Sequence, residues 1–381
     1  LSEAFDENNS AWSTEYLELS SVLTPEEYAS ARESTLTAFY TPPEVITAIY
    51  KAMEQMGFKD GNLLEPSCGI GNFIGMLPDA MQDSKIYGVE LDTISAGIAQ
   101  QLYQKTTIAA QGFEEVNVPD SFFDGVIGNV PFGDFGVIDK RYDAKKWLIH
   151  DYFFGKTMDK VRPGGIIAFI TSTGTMDKRD CTFRDYLASR GELLGAVRLP
   201  DTAFKTAAGT SVNSDIIFLK KREKVLLTSN MLSASVEEKL SDLRVPEVEK
   251  MWSIASFSYY TRSYINEYYA INNEMLCGDA KKISGRFGNE VVYKCDSEEE
   301  FKQRFENALS KIQGKYEEKA GENEVIEEIA DDDLPVPADV TARMYSYLAY
   351  NDGIYYRDAE VMRKVDTTDK MKDIYLSLIH I

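Results

Sequence analysis

The sequence is short of the residues that build disulfide frameworks and metal centres. Its 381 residues include four cysteines and two histidines, and no two cysteines form a CxxC pair. Scattered cysteines argue against a disulfide framework, and the shortage of histidine argues against zinc. We therefore predict neither disulfides nor a bound metal.

Long apolar runs and targeting signals are also missing. No stretch of about 18 apolar residues is present to span a membrane. The start, LSEAF, has neither the basic end nor the apolar core of a signal peptide. We predict a soluble, cytoplasmic protein. Because the chain begins without methionine and stops at SLIHI, we interpret it as part of a longer reading frame and regard residues 377–381 as candidates for non-native sequence.

Positive charge is scarce. The formal net charge is −21, from 62 acidic and 41 basic residues, which is unfavourable for a nucleic-acid-binding protein. The imbalance is uneven, since residues 1–100 carry 16 acidic and 4 basic side chains whereas residues 101–222 carry 15 and 17. The basic residues of this middle section form either an ordinary solvated surface or a phosphate-contacting face: Lys140, Arg141, Lys145, Lys146, Lys156, Lys160, Arg162, Lys178 and Arg179.

Short runs rich in β-branched residues alternate with helical stretches between about residues 61 and 222. The runs are NLLEPS, KIYGVEL, FDGVIGN, GIIAFITS, LLGAVRLP and SDIIFLKK, with a weaker candidate at 107–112, and helices are predicted at 93–104, 145–161 and 181–190. Such alternation predicts an α/β fold, a mostly parallel sheet with helices on both faces.

The sections on either side of this alternation differ in character. Thr24, Pro25 and Glu27 form a capping-box signature that predicts a helix near the N-terminus. The turn Asn351-Asp352-Gly353 predicts a hairpin near the other end. We divide the chain into a helical extension at 1–36, the α/β section at 37–222, a helix-rich acidic region and linker at 223–330, and a hairpin-containing segment at 331–381.

The first predicted strand runs into a glycine-containing turn, LLEPSCGIGNF. Gly69 and Gly71 leave room there for backbone amides to approach a ligand, although two glycines also simply make a turn. The second strand places Glu90 about 20 residues later, where a carboxylate accepts the hydroxyls of a ribose. The spacing is not GxGxxG, so the pattern disfavours a nicotinamide cofactor and fits a methionine-bearing nucleoside.

The fourth predicted strand ends in FDGVIGNVPFGDF. Asn129-Val130-Pro131-Phe132 matches three positions of the (Asn/Asp/Ser)-Pro-Pro-(Tyr/Phe/Trp) tetrapeptide of amino-methylating DNA methyltransferases, while FYTP at 39–42 and EPSCGIGNF match their two cofactor motifs. With the three motifs in this order, residues 37–222 resemble the adenine-specific, gamma-type group. The wider sequence resembles the methylase portion of large phage and mobile-element polypeptides, in which a Swi/Snf-type helicase segment follows.

The resemblance implies a Rossmann-like seven-stranded sheet whose last strand is antiparallel, S-adenosylmethionine as cofactor, and methylation of the exocyclic amino group of adenine in duplex DNA, as in restriction-modification. The target adenine is then flipped out of the duplex. Gln111 stands where the family often has an acid. The implied cofactor-binding residues are Tyr40, Thr41, Pro42, Glu65, Pro66, Cys68, Gly69, Gly71, Asn72, Phe73, Glu90, Leu91, Gly112 and Phe113.

The tetrapeptide also has a chemical rationale. The lone pair of an aromatic amine is delocalised, and two acceptors aimed at its hydrogens localise that pair for attack on a sulfonium methyl. The side-chain oxygen of Asn129 and the backbone carbonyl of Val130 are the expected acceptors. Pro131 stiffens the turn, and Phe132 offers a face to an extruded base. Val130 departs from the family's first proline, which removes backbone stiffness rather than a chemical group.

Three alternatives remain open at this point. A similar tetrapeptide serves methylation of glutamine in proteins, which the acidic charge would suit, and RNA adenine is a further substrate. The chain could instead be a non-catalytic SAM-binding module of an anti-restriction or helicase polypeptide. His150 lies near the tetrapeptide, but no general base is needed before methyl transfer, so we interpret it as a capping or packing residue.

Overall fold

The structure is a computed structural model. It describes residues 2–25, 27–29, 31–32, 40–204, 213–226, 245–259, 262–285 and 288–318, together with strand residues 336–337, 347–350, 353–358 and 361–364. Two compact units are present, Leu1–Glu318 and Lys319–Ile381.

A seven-stranded sheet forms the centre of the first unit, in the order β3-β2-β1-β4-β5-β7-β6. β7 runs antiparallel to both β5 and β6, and the other pairings are parallel. The strands are β1 Asn62–Glu65, β2 Lys85–Glu90, β3 Thr107–Ala110, β4 Phe123–Asn129, β5 Val161–Ser172, β6 Gly191–Leu199 and β7 Ser214–Lys221. The predicted α/β fold, with its antiparallel last strand, is confirmed.

The helices that accompany the sheet and its additions include ten α-helices. They are α1 Ser13–Val22, α2 Pro43–Gln55, α3 Asn72–Gly75, α4 Thr93–Leu102, α5 Ile149–Lys160, α6 Gly174–Asp177, α7 Thr182–Arg190, α8 Glu247–Lys250, α9 Glu267–Ile271 and α10 Glu298–Ser310. Short 3-10 helices lie at Ser2–Phe5, Ser10–Trp12, Asp79–Met81, Phe113–Glu115, Asp143–Lys145, Met251–Ser253 and Asn273–Met275. In the part of the chain so described, no helix is long and apolar enough to cross a bilayer.

Central strands are continuous apolar runs because helices cover both faces of the sheet. Six of the seven residues of β4 are buried, and only its last, Asn129, is partly exposed. α2 begins at Pro43, the position where proline fits best, and turns Ile46, Ile49 and Met53 into the core. The capping box at the N-terminus is also present, since Thr24 and Glu27 exchange hydrogen bonds.

The register brings the carboxyl ends of the central strands to one edge of the sheet. Glu65 at the end of β1 pairs with Gly88 of β2, and Asn129 at the end of β4 pairs with Ile170 of β5. Ligands of open α/β sheets bind at this edge. The residues that follow β1, β2, β3 and β4 are therefore the place to look for a site.

The described residues from 245 to 318 belong to the same compact unit as the sheet. They contain two antiparallel hairpins besides helices: β8 Ala255–Ser258 with β9 Ser263–Asn266, and β10 Asp279–Gly285 with β11 Gly288–Lys294. The sequence predicted a helix-rich region here and did not predict these hairpins. These strands are four to seven residues long and lie among many charged residues, which leaves little period-2 signal in the sequence.

A buried arginine joins this addition to the sheet. Arg198 of β6 is 1% exposed and forms ion pairs with Asp177 and Asp215, at 2.6 and 2.8 Å. Its guanidinium lies 4.5 Å from the ring centre of Tyr269 and 5.2 Å from that of Tyr293, both of which belong to the addition. A buried cation satisfied in this way fixes the packing of the elements that supply its partners.

The second unit contains a four-stranded sheet in the order β12-β15-β14-β13. Its strands are β12 Val336–Pro337, β13 Tyr347–Tyr350, β14 Gly353–Asp358 and β15 Val361–Lys364. Tyr350 pairs with Gly353, which agrees with the predicted hairpin. Asn351 and Asp352 lie outside the described residues, as do residues 377–381 and most of the predicted acidic linker.

Candidate active site

A cavity of about 380 Å³ opens at the carboxyl edge of the sheet. It is lined by the residues that follow β1, β2, β3 and β4, together with the start of α5. The structure brings most of the predicted site residues together in its wall: Tyr40, Thr41, Glu65, Pro66, Cys68, Gly69, Asn72, Phe73, Glu90, Leu91, Gly112, Phe113, Asn129, Val130 and Pro131. Pro42, Gly71 and Phe132 are predicted site residues that are not part of this wall.

The glycine turn after β1 depends on two left-handed backbone positions. Gly69 has φ +54° and Gly71 has φ +87°, a region that favours glycine. The amide of Gly71 donates to the carbonyl of Cys68 at 2.8 Å. A Cβ on Gly71 would lie 2.4 Å from the ring of Tyr103. Gly71 therefore shapes the turn from behind, whereas Gly69 faces the cavity with open space beside it.

Glu90 closes the turn from the end of β2. Its carboxylate accepts hydrogen bonds from the backbone amides of Gly69 at 2.7 Å and Asp92 at 2.8 Å. Burial raises the pKa of Glu90, and these two backbone hydrogen bonds oppose the rise. Each carboxylate oxygen can accept a further hydrogen bond, so the oriented carboxylate is able to receive the two hydroxyls of a ribose.

Glu65 is the most buried acid of the cavity wall, with 3% of its surface exposed. Its Oε2 atom makes no hydrogen bond to any group in the described part of the chain. Burial, with a smaller contribution from Glu90, raises the pKa of Glu65 well above its ordinary value. A buried acceptor left unsatisfied is costly in free energy. The ammonium of a methionine moiety would satisfy it, and the site therefore fits S-adenosylmethionine.

The third strand supplies the other end of the cavity. The ring of Phe113 is buried 5.1 Å from that of Phe153 on α5. A Cβ on Gly112 would lie 2.1 Å from Oε1 of Glu114, so the carboxylate of Glu114 lies directly beside Gly112. Glu114 itself lines the cavity. A carboxylate thus lies in the cavity wall three residues after Gln111.

The predicted catalytic tetrapeptide begins where β4 ends. The hydroxyl of Ser67 donates to the backbone carbonyl of Asn129 at 2.9 Å. The amide of Val130 donates to the carbonyl of Ile170 on β5 at 3.1 Å. These two bonds hold the peptide unit that joins Asn129 to Val130, one through its carbonyl and one through its amide. The Oδ1 atom of Asn129 is shielded from solvent.

An aromatic residue other than the predicted one lies at the cavity mouth. Phe135 is half-exposed and lines the cavity, whereas Phe132 does not. Further lining residues were absent from the sequence prediction: Ser67, Ile70, Asp92, Ser95, Glu114, Gly136, Val137, Ile149 and Phe153. Three of these had a sequence signal. Asp92 caps α4 through Ile94 and Ser95, a recognisable helix start, and Ile149 and Phe153 are spaced four apart on one helix face.

His150 does not line the cavity. Its side chain is buried, and burial lowers its pKa. Neither ring nitrogen hydrogen-bonds to a described group, and Nε2 lies 3.7 Å from Asp151, which is itself paired with Lys178. This placement agrees with a packing residue rather than a catalytic base.

Most of the basic residues of the middle section are paired inside the fold. Lys156, Lys160 and Arg162 contact Asp139, Asp120 and Asp124 at 3.1, 2.7 and 2.6 Å, which makes them structural. Arg141 and Lys178 are paired with carboxylates as well. Of the nine basic residues singled out in the sequence, four are exposed and form no ion pair with a described carboxylate: Lys140, Lys145, Lys146 and Arg179. Of those nine, only these four remain available to contact phosphates.

The strand order, the antiparallel β7 and the glycine turn facing a carboxylate at the end of β2 define a class I S-adenosylmethionine-dependent methyltransferase fold. The model of one family, N-6 DNA Methylase, matches residues 23–260. The chain belongs to this family.

Individual relatives are similar over part of their length. The chain is 33% identical over 218 residues to the "Defense against restriction protein B" of Escherichia phage P1. The matched region covers 53% of this chain and 9% of that protein. It is 25% identical over 228 residues to the type II methyltransferase M.CvrRI of Paramecium bursaria Chlorella virus XZ-6E, covering 57% and 56%. Among solved structures, the type I restriction enzyme EcoKI M protein aligns with a TM-score of 0.39 at 15% identity, covering 57% and 51%. The chain thus spans 9% and 56% of the two curated relatives.

Proposed function

We propose that this chain transfers the methyl group of S-adenosylmethionine to the exocyclic amino group of adenine in DNA. The observation that carries the proposal is the position of Asn129. Its backbone is held by Ser67 of the cofactor turn on one side, and the next amide is held by β5 on the other. A polar group at the end of β4 is thereby fixed against the wall of a cavity that fits the cofactor.

The residues of this chain have separate tasks in that reaction. Glu90 and Glu65 hold the ribose hydroxyls and the ammonium of the cofactor, and Phe113 with Glu114 receives its adenine. When bound, the cofactor supplies an electrophilic sulfonium methyl. Asn129 Oδ1 and the carbonyl of Val130 accept hydrogen bonds from the target amine and localise its lone pair. Fixing two reactants in this way lowers the barrier by about 7–11 kcal/mol in favourable cases.

The strand order supports one side of entry for the target base. β4 lies between β1 and β5, and the cofactor cavity lies on the β1 side of Asn129. In-line attack requires the amine to approach from the side opposite the methyl donor. The target adenine, flipped from its duplex, therefore enters over the carboxyl end of β5.

We further propose that the chain acts in the cytoplasm as the methylase portion of a longer polypeptide that also contains a helicase segment. Two points support this proposal. The sequence resembles such polypeptides, and the relative from phage P1 is far longer than the matched part. The link of several relatives to restriction suggests that the methylation protects DNA from cleavage.

Methyl transfer to DNA tests the main proposal. Labelled S-adenosylmethionine and unmethylated duplex DNA would be incubated with the wild type, Asn129→Ala and the control Asn117→Ala, which alters an exposed asparagine of the same domain. Nucleoside mass spectrometry should find methyladenine with the wild type and the control, and none with Asn129→Ala. Cofactor binding without any DNA methylation would contradict the proposal and lead to tests of protein glutamine and RNA.

A further inference from the structure

An exposed aromatic hairpin projects from the addition that follows the sheet. It consists of β8 and β9, in which Phe257 pairs with Tyr264. Tyr259 is 89% exposed and Phe257 44% exposed. Their rings contact each other edge to face at 5.4 Å, and Phe257 contacts Tyr264 in the same way at 5.5 Å. This cluster of exposed rings is a candidate interaction surface.

The base of this aromatic hairpin is fixed to the sheet edge where the target base enters. Asn266, the last residue of β9, is fully buried, and its amide group donates to the carbonyls of Met176 and Trp252 at 2.8 and 2.7 Å. Its backbone amide donates to Asp177 at 2.9 Å. Met176 and Asp177 belong to α6, which begins two residues after β5 ends.

A second buried arginine strengthens this attachment. Arg184 of α7 has no exposed surface. It donates to the carbonyl of Ser253 at 2.8 Å, just before β8, and to the carbonyl of Lys178 at 2.8 Å, just after α6. Arg184 therefore bridges the residues just before the aromatic hairpin and Lys178, the residue that precedes Arg179.

Positive charge accompanies the exposed rings. Arg262 lies at the end of the hairpin loop, where its amide closes the turn by donating to Ser258 at 2.7 Å. Arg262 and Arg179 are exposed, and neither pairs with a carboxylate among the described residues. The neighbouring acid Glu267 is engaged by the hydroxyl of Ser256. In a chain of net charge −21, such a local exception is informative.

We propose that the aromatic hairpin, with Arg262 and Arg179, is a DNA-contacting surface that holds the strand next to the flipped adenine. This inference rests on the proposed function, because it takes DNA as the substrate. Exposed tyrosine and phenylalanine rings stack on unpaired bases, and arginines bind the adjoining phosphates. Because the hairpin is anchored before DNA arrives, little ordering is needed on binding. The addition that follows the sheet thus contributes a substrate contact to the methylase.

The test measures DNA binding by the full chain with S-adenosylhomocysteine present. Fluorescence anisotropy of a labelled duplex containing a short single-stranded gap would compare the wild type, Tyr259→Ser, Arg262→Gln and Leu102→Ser. Leu102, at the far end of α4, is 62% exposed and serves as the control. We expect Tyr259→Ser to weaken binding about tenfold, as expected for the loss of one stacked base. Arg262→Gln should reduce the slope of log K against log salt by about 1.

The outcomes separate this proposal from the proposed function. The hairpin surface is supported if the wild type binds DNA, Tyr259→Ser loses this binding and Leu102→Ser keeps it. The affinity for S-adenosylhomocysteine should be unchanged in these variants. Equal DNA affinity of all four proteins overturns it while leaving DNA methylation intact. A change in oligomeric state in Tyr259→Ser without a change in DNA affinity overturns it in favour of a contact between copies. If the wild type methylates no DNA, both proposals fall together.

Discussion

The hydroxyl of Ser67 donates a 2.9 Å hydrogen bond to the backbone carbonyl of Asn129. Ser67 belongs to the glycine turn proposed to receive the cofactor, and Asn129 begins the proposed catalytic tetrapeptide. The bond spans two neighbouring strands, β1 and β4, at the point where both end. It therefore couples the position of the methyl donor to the position of the group that orients the amine.

Replacing Ser67 should separate catalysis from cofactor binding. Ser67→Ala removes a neutral hydrogen bond of about 1 kcal/mol, so we expect kcat to fall about three- to tenfold. Affinity for S-adenosylhomocysteine, measured by calorimetry, should change less than twofold, because the backbone of the turn is kept. Ser67→Thr retains the hydroxyl and should restore most of the rate. A parallel loss of affinity and rate in Ser67→Ala would show that Ser67 acts on the cofactor instead.

Glu65 should make the free protein less stable at neutral pH. Its pKa is raised in the folded state, so the folded state holds the proton more tightly than the unfolded state does. The resulting stability is present below the ordinary pKa of glutamic acid and is lost as the pH rises through the raised value. The glutamine of Glu65→Gln does not ionise, so this variant does not lose that stability as the pH rises.

The measurement is a thermal melt of Glu65→Gln and the wild type between pH 5 and 8. We expect Glu65→Gln to melt about 2–4 °C higher at pH 8 for each kcal/mol gained, with the difference shrinking toward pH 5. The variant should also bind S-adenosylmethionine more weakly, because an ammonium loses its carboxylate partner. Glu54→Gln, on the exposed face of α2, is the control and should show neither effect. A lower melting temperature for Glu65→Gln across the range would contradict the argument.

Glu114 should determine recognition of the cofactor's adenine. Its carboxylate reaches the space beside Gly112, where it can accept a hydrogen bond from an adenine amino group. Glu114→Gln presents an amide that can donate a hydrogen bond instead. The variant should therefore bind S-adenosylhomocysteine more weakly and bind S-inosylhomocysteine, which carries a carbonyl at that position, more tightly. We expect each affinity to change about tenfold, or 1.4 kcal/mol. Glu115 is an exposed neighbour, and the control Glu115→Gln should leave the preference between the two ligands unchanged. If Glu114→Gln also left this preference unchanged, Glu114 would not recognise the adenine of the cofactor.

The fold could be predicted from sequence because its signals are local. The six strong strand candidates and the weaker one at 107–112 all appear in the sheet, since buried parallel strands are continuous apolar runs. The helix predicted at 145–161 begins later, at Ile149, because Lys146 has a left-handed backbone and Leu148 is extended. The hairpins after residue 245 were missed because their strands are short and lie in a highly charged background.

The site was predictable only where a motif fixed the backbone. Gly69, Glu90 and Asn129 lie in turns whose geometry the sequence determines. Glu114 and Phe135 reach the cavity through side-chain directions that depend on how the loops after β3 and β4 pack. The anchoring of the aromatic hairpin depends on Asn266 meeting α6, residues far apart in the chain. Contacts of that kind leave no periodic signal.

Val130 is the position at which the tetrapeptide departs from the family, and the structure gives a physical reason for the change. Its amide donates to the carbonyl of Ile170 at 3.1 Å, and its side chain is 1% exposed. Proline has no amide hydrogen, so Val130→Pro would leave the Ile170 carbonyl without this bond. The ladder bond thus supplies the stiffness that a proline supplies elsewhere.

Introducing the family's proline should therefore harm this protein. We expect Val130→Pro to lower the free energy of unfolding by about 1–3 kcal/mol, the cost of a buried carbonyl left unsatisfied, and to lower kcat because Asn129 loses support on the β5 side. Denaturant titration and the methyl-transfer assay measure the two effects. Val130→Ala keeps the amide and trims only the side chain, so it should retain more of the activity. A Val130→Pro protein that is as stable as the wild type and methylates faster would show that the β4–β5 bond does not position the tetrapeptide.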